Sequence, residues 1–304
     1  MAFSKFLDPK NDFLFRRLFG TEKNKDILIY FINSILQWSG DEAVQDVTYL
    51  KTIQDPDVAW KKQSIVDVLC RDQSGTQFII EMQVAKTPGF EERAQFYAAR
   101  AYINQMHVGG KYQDLKEVIF IAITDYVMFP NKPVWKSSHV TLDTKTYEQD
   151  LKAFSFTFVE LPKFTKPIEQ LETVEDKWIY FFKHASDTTD QEFNAFIGGD
   201  VVLRKAFDES TKYSMTEEEW NTYEQELKHE WDARAIEEQK QIETQQRIMY
   251  AEEKGKAEGV AEGKSKGEKA AKIEIARGML KDQLSVEMIA KYTGLTEAEI
   301  RAIK

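Results

Sequence analysis

Two acids and an amide within one short stretch are the residues of this sequence best placed to do chemistry. "IVDVLCRDQSGTQFIIEMQ", residues 65–83, reads as two strands and a turn, with Asp67 on the first strand and Glu81 and Gln83 on the second. Residues 72–76, Asp-Gln-Ser-Gly-Thr, are turn chemistry between runs rich in Val, Ile, Leu and Phe. Taking Gln73-Ser74-Gly75 as a loop ended by a positive-φ glycine pairs Asp72 with Thr76, Cys70 with Phe78, Val68 with Ile80 and Val66 with Met82. That face is wholly apolar and is expected to pack on a core. The other face sets Asp67 opposite Glu81 and Ile65 opposite Gln83. A slip of one residue would mix acids into the apolar face, so the pattern supports this register.

Opposed side chains in such a pair have Cβ atoms roughly 4.5–5.5 Å apart, and like charges there destabilise the sheet. Two arrangements offset the repulsion. One is a solvent-facing pair neutralised by Lys61, Lys62, Arg71 or Lys86, all close in sequence. The other is a divalent cation held by both carboxylates. Oxygen ligands suit Mg²⁺, which takes one or two carboxylates and keeps water and substrate phosphate for its other positions. Spacing alone leaves both readings open.

The elements that must hold these residues fit an α/β protein with a mixed sheet and helices packed on it. Residues 8–20, "DPKNDFLFRRLFG", start like a helix, with Asp8 as N-cap, Pro9 in the first turn and Gly20 at the end. A second, largely apolar helix follows over 24–37, then a strand over 46–54. Beyond the hairpin, a helix over 90–107 offers Ala94, Ala98 and Ala101 as a small face for close packing. "EVIFIAITD" (117–125) reads as a central strand, and "FSFTFVEL" (154–161) alternates with Phe154, Phe156 and Phe158 on one side. This core is expected over residues 1–165. Residues 166–215 read as helical, with Trp178, Ile179, Phe181 and Phe182 as core candidates, packing on or extending it.

Residues 216–304 read as a helical tail. Trp220, Tyr223, Leu227 and Trp231 form a narrow stripe suited to a partner helix. Gly255, Gly259, Gly263 and Gly267 fall every fourth residue. Glycine costs about 1 kcal/mol per helical position against Ala, so this segment is either a self-pairing helix or a flexible tether. The end reads as two short helices, Ser285 capping the first, Gly294 ending it, and Thr296 with Glu299 boxing the second. This resembles a small helix-turn-helix, but its last helix offers only Arg301 and Lys304 as cations, so a protein-interaction knob is equally consistent.

Composition bounds the function. The chain has 304 residues, 42% hydrophobic and 30% charged, with mean hydropathy −0.51, as in a soluble protein. No apolar run reaches the 18 or more residues of a membrane span, and the first ten residues lack a signal-peptide core. One cysteine rules out an intramolecular disulfide or a thiolate zinc site, and a reducing cytoplasm is the expected location. A net charge of −10 argues against nonspecific coating of nucleic acid, although it permits a locally basic groove.

Asp67 followed by Glu81-x-Gln83, set between N-terminal helices and a following helix, resembles the core of PD-(D/E)XK nucleases. "DPKNDFLFRRLFG", "NKDILIYFINSIL" and "FEERAQFYAARAYINQ" are more specifically similar to the Rpn family, whose members are labelled recombination-promoting nucleases or PD-(D/E)XK nuclease family transposases. The glycine-punctuated tail and "SVEMIAKYTGLTEAEI" extend the resemblance over nearly the whole chain. It implies a restriction-endonuclease-like core with a C-terminal helical extension. It also implies a metal-dependent DNA endonuclease that hydrolyses phosphodiester bonds, with DNA recombination as its setting.

Carried over by position, Asp67 and Glu81 match the metal-binding acids, and Met82 the residue whose main-chain carbonyl completes the coordination sphere. Mg²⁺ is the expected cofactor, with Mn²⁺ or Ca²⁺ as alternatives. DNA is the expected partner, and a homodimer or higher oligomer through the tail the expected assembly. Gln83 occupies the superfamily's lysine position; this family commonly has Gln there, which orients water without bringing charge. Asp12 matches an acidic position on the first helix, and Arg93 and Tyr97 match recurrent positions read as a phosphate contact and a wall of the site. Lys62, five residues before Asp67, is a candidate for the missing charge, although odd spacing requires a bulge to bring it round. The competing function is a catalytically silent DNA- or protein-binding oligomer acting through its tail. The transposase label also invites strand joining, for which the sequence displays no feature.

Overall fold

Residues 4–54 and 64–303 are described by a computed structural model. The chain forms two compact units, Met1–His229 and Glu230–Lys304. Lys62 lies outside the described residues, so its expected role has no structural counterpart here. Eight strands are present among the described residues: β1 (Val47–Tyr49), β2 (Ile53–Gln54), β3 (Ser64–Ile65), β4 (Val68–Asp72), β5 (Gln77–Gln83), β6 (Val118–Thr124), β7 (Lys136–Val140) and β8 (Phe154–Glu160). Six of them form a mixed sheet in the order β1-β4-β5-β6-β8-β7, and β2 pairs with β3 as a separate ribbon. The β5, β6 and β8 strands are mutually parallel, whereas β1, β4 and β7 join antiparallel. The α/β class with a mixed sheet is therefore as expected from the sequence.

Helices cover both faces. The first face packs against α1 (Asp12–Phe19), α2 (Lys25–Leu36) and, later in the chain, α4 (Val174–His184), α5 (Asp190–Ile197) and α6 (Val201–Glu209). Phe15, Phe19, Phe31, Trp178 and Phe182 meet there with ring centroids about 5–6 Å apart, against Val68, Cys70, Phe78, Ile80 and Met82 of the hairpin. The second face packs against α3 (Phe90–Ile103), whose Ala94, Ala98 and Ala101 lie on Leu69, Ile79, Phe120 and Ala122. Alternation along β5 thus sends Phe78, Ile80 and Met82 to one core and Ile79 to the other.

The hairpin register matches the sequence reading from the turn as far as Val68. Cys70 pairs with Phe78 and Val68 with Ile80. Asp72 donates its N–H to the Thr76 carbonyl at 2.9 Å, and Gly75 closes the loop at φ +95°. Beyond Val68 the expectation fails. Val66 does not pair with Met82, nor Ile65 with Gln83: β4 breaks away, Val66 donates to the Thr52 carbonyl at 3.2 Å, and Ile65 pairs with Ile53. The Val66 side chain accordingly joins the core on the α3 side rather than the one on the α1 side.

Three other local readings change. The N-cap of α1 is Asn11, whose side chain accepts the Leu14 N–H, whereas Asp8 accepts from Lys10 in a turn before the helix. The single strand expected over 46–54 splits into β1 and β2. The β7 strand escaped the sequence reading because "KSSHV" is a short, polar edge strand with little hydrophobic alternation.

Helix α7 (Glu217–Lys281) begins in the larger unit. Tyr223 is buried there, with Trp220 and Leu227 packed on the core, so these residues do not await a partner helix as their spacing suggested; Trp231 is exposed. The glycine segment is part of the same helix rather than a flexible tether, and a methyl at Gly255, Gly259, Gly263 or Gly267 would meet no described atom within 4 Å. In the smaller unit, α8 (Val286–Thr293) and α9 (Glu297–Arg301) carry the expected caps at Ser285, Gly294 and Thr296 with Glu299. They bury Ile289, Leu295 and Ile300 against Ala276 of α7.

Close approach of α3 to the sheet rests on its alanines. Ala98→Leu forces a larger side chain into a fully buried site and is expected to cost about 1–3 kcal/mol, read as a lower urea midpoint with unchanged slope.

Candidate active site

The departure of β4 from β5 opens the site. Past Ile80 the β5 backbone has no ladder partner on that side, and the Asp67 segment supplies one with side chains. Asp67 donates its backbone N–H to Glu81 Oε1 at 3.1 Å, while Asp67 Oδ2 accepts the Met82 N–H at 3.0 Å. Asp67 thus gives the Met82 N–H the acceptor that Val66 would have supplied in a regular strand, while the Met82 carbonyl is left without that ladder partner. The two acids therefore lie together as the sequence suggested, but across a kink and under α3, with Glu81 3% exposed.

Both neighbouring helices reach in. From α3, Arg93 Nη2 donates to Gln83 Oε1 at 2.5 Å, and Gln83 Nε2 donates in turn to Glu81 Oε2 at 3.3 Å. From α1, Arg16 Nη2 donates to Asp67 Oδ1 at 3.0 Å and lies 3.5 Å from Asp12 Oδ2, one turn earlier. Each of the four carboxylate oxygens of Asp67 and Glu81 thus accepts one hydrogen bond. Tyr97, one turn after Arg93, stands in the field of Arg93, Glu81 and Asp67, and burial pushes its phenol up.

The electrostatics are those of two acids in a dry place. Burial pushes the Asp67 carboxyl up, and the Met82 N–H opposes this. Burial, and then the Asp67 charge, hold Glu81 well above the usual carboxylate range, with the Asp12 charge adding to both. Such a pair is stabilised by taking up a proton or a cation.

The sequence candidates are distributed as follows. Asp67, Glu81, Met82, Gln83 and Arg93 are joined by direct hydrogen bonds; Asp12 and Tyr97 border them; Lys62 is outside the described residues. The sequence reading missed Arg16. Of two adjacent arginines, Arg17 turns inward to Glu209, Ser214 and Glu219, whereas Arg16, about 100° round the helix, faces the acids. The available signal was the Asp12–Arg16 spacing of four.

No group of three or more His, Cys, Asp or Glu side chains converges among the described residues. The donor set is two carboxylates and the Met82 carbonyl. The Met82 N–H points at Asp67, and in an extended strand a residue's carbonyl points to the same side as its N–H. These are hard oxygen donors around concentrated negative charge, which fits a Mg²⁺-like cation.

A pH dependence follows. Both acids bind protons more tightly folded than unfolded, so without divalent cations stability is fullest below the ordinary carboxylate range and falls as pH rises from there through their raised folded-state values. In EDTA at about pH 8, Glu81→Gln is expected to melt higher than the wild type, with the gap closing towards about pH 4. Equal melting temperatures at both ends would contradict it.

Similarity to known families agrees with this geometry. Residues 9–240 match the family described as PD-(D/E)XK nuclease family transposase. Residues 269–304 match the Rpn/YhgA-like nuclease family, C-terminal HTH domain. No curated protein and no solved structure matches the chain significantly. Nucleases of this kind generally use divalent metals. With its match covering most of the chain, a mixed sheet flanked by helices and a kinked strand beside Glu81, this protein belongs to the PD-(D/E)XK nuclease family transposases of Rpn type and has a restriction-endonuclease-like fold.

Proposed function

We propose that the chain is a metal-dependent DNA endonuclease that hydrolyses phosphodiester bonds, with Mg²⁺ as its working cation and Mn²⁺ able to replace it. The observation that carries the reading is the Asp67–Glu81 clasp, which brings two largely buried carboxylates together at a break in the sheet. Asp67, Glu81 and the Met82 carbonyl hold the cation. When bound, Mg²⁺ polarises a phosphoryl oxygen and makes a water more acidic.

The chain's own residues do the rest. Gln83 has its amide oxygen fixed by Arg93 and one amide N–H engaged by Glu81. An amide nitrogen carries two N–H groups, so the second orients a water or a phosphate oxygen. Gln83 brings no charge where the superfamily has lysine, and Arg16 supplies it. Its half-exposed guanidinium is restrained by Asp12 and Asp67 and is placed to stabilise charge developing on the phosphate. Arg93 is a positioning residue for Gln83, and Tyr97 walls the site. The C-terminal helix-turn-helix brings the chain to DNA, and the exposed stretch of α7 is the segment through which copies associate. Such an enzyme suits the initiating cut of a recombination event.

Cleavage of supercoiled plasmid by purified protein tests the reading. Nicking or linearisation is expected with Mg²⁺ or Mn²⁺, none with EDTA, and none for Asp67→Asn or Glu81→Ala. Arg16→Met is expected to lose about 10²–10³-fold in rate, the range for removing one charge-stabilising donor, with Arg16→Lys partly restored. Activity that survives both acid substitutions sinks the assignment. A folded protein inactive in every metal points to a silent binding role instead.

A further inference from the structure

We propose that the larger unit carries a second substrate contact, a basic cleft at the far end of β5 that grips the phosphates of the DNA strand running away from the hairpin site. The inference rests on DNA being the substrate, and it adds a subsite remote from the reacting phosphate.

The cleft has a volume of about 700 Å³. Lys51, Arg71, Lys111 and Lys116 line it, with His107, and Asp114 is the only acid among its described lining residues. In a chain of net charge −10 this concentration of cations is a local reversal of sign. All four are exposed, and none makes an ion pair with a described residue. Several other basic residues of the larger unit are held by carboxylates, Lys136 by Glu175, Lys163 by Glu160, Lys166 by Asp176 and Lys205 by Asp26, so what marks the cleft is the grouping of four cations around one concavity. Cations grouped around a concave surface with no ion pair to a described carboxylate focus a positive potential, which attracts phosphates.

The cleft has fixed walls. Gln105 clamps the Lys116 backbone, accepting its N–H at 2.8 Å and donating to its carbonyl at 2.9 Å. The Lys116 stem crosses the hairpin turn at Gly75, where a Cβ would lie 3.1 Å from Lys116 Cγ. A side chain at Gly75 would collide with this stem as well as with the positive φ.

Topology connects cleft and site. The β5 strand runs from Gln77, which lines the cleft, to Gln83 in the site: six steps of about 3.3 Å, or roughly 20 Å. The β4 strand runs alongside, from next to Asp67 towards Arg71. Helix α3 returns the other way, from Arg93 over the site to Asn104 at the cleft, roughly 16 Å at about 1.5 Å per residue. Arg93, Tyr97, Arg100 and Asn104 follow one another at spacings of four, three and four, which is one face of that helix. A path of roughly 16–20 Å with a cation at each end spans about five or six charges of one DNA strand, at about 3.4 Å of axis each.

The test reads binding rather than cleavage. A fluorescent duplex is titrated with the full chain in EDTA at several salt concentrations, comparing the wild type with a variant in which Lys51, Arg71, Lys111 and Lys116 are all Ala. Removing one phosphate-binding cation lowers the slope of log K against log salt by about 0.9. The variant's slope is expected to be shallower by about 2–4, with affinity at least about tenfold weaker near physiological salt. A charge-matched control at the exposed Lys145, Lys152, Lys228 and Lys240 is expected to stay within about one unit of the wild-type slope. Lys111→Cys adds an accessible thiol to a chain whose single cysteine, Cys70, is fully buried. A photo-crosslinker on it is expected to capture the labelled strand. An unchanged slope, an equal weakening in the control, or no crosslink overturns the cleft. Because no cleavage is needed, a chain that binds this way without cutting removes the nuclease reading alone, and one that cuts with an unchanged slope removes the cleft alone.

Discussion

The site depends on one exchange of hydrogen bonds. Where β4 bends away, the β5 backbone would be left with an unsatisfied, buried N–H at Met82, a penalty of about 1–3 kcal/mol. The Asp67 carboxylate takes that N–H, and the Glu81 carboxylate takes the N–H of Asp67. The same two contacts that repair the sheet therefore bring two like charges together under α3. Neither acid can be replaced by an apolar residue without breaking the repair. Structural and chemical demands fall on the same atoms.

The flanking helices are arranged around this pair. The alanine face of α3 lets its axis approach the sheet closely, and Arg93 then reaches Gln83 from directly above. On the other side, α1 is anchored by Phe15, Leu18 and Phe19 in the aromatic core and by Arg17 bonded to Glu209 and Glu219. That anchoring fixes the rotation of α1, and rotation decides that Arg16 rather than Arg17 meets Asp67. Arg16 thus meets Asp67 from one helix, and Arg93 meets Gln83 from the other.

A restriction-endonuclease-like core joined to a helix-turn-helix segment divides the work of a nuclease. The terminal unit is held by local caps and a small core of Ala276, Ile289, Leu295 and Ile300, and its Arg301 is tied to Glu297. On the reading proposed above, the basic cleft beside β5 would add affinity for DNA within the larger unit.

Local pattern alone determined a good deal here. Alternation and turn chemistry set the hairpin register from Asp72 to Val68, because a slipped strand would turn its apolar face away from the core. Capping residues placed α8 and α9, since a cap is satisfied within a few residues of itself. The pairing of Asp67 with Glu81 was legible for the same reason, at least as two acids on one side of a hairpin. What the sequence could not express was the kink at Val66–Asp67, because the competing partner of that segment, β2, lies more than about ten residues away in the chain. Nor could it distinguish a solvent-facing acid pair from a buried one, which depended on α3 returning across the sheet. Arg16, the route along α3 and the basic cleft all arise where helices and loops distant in sequence meet one strand. Their spacing carries no local signal, and only packing brings them together.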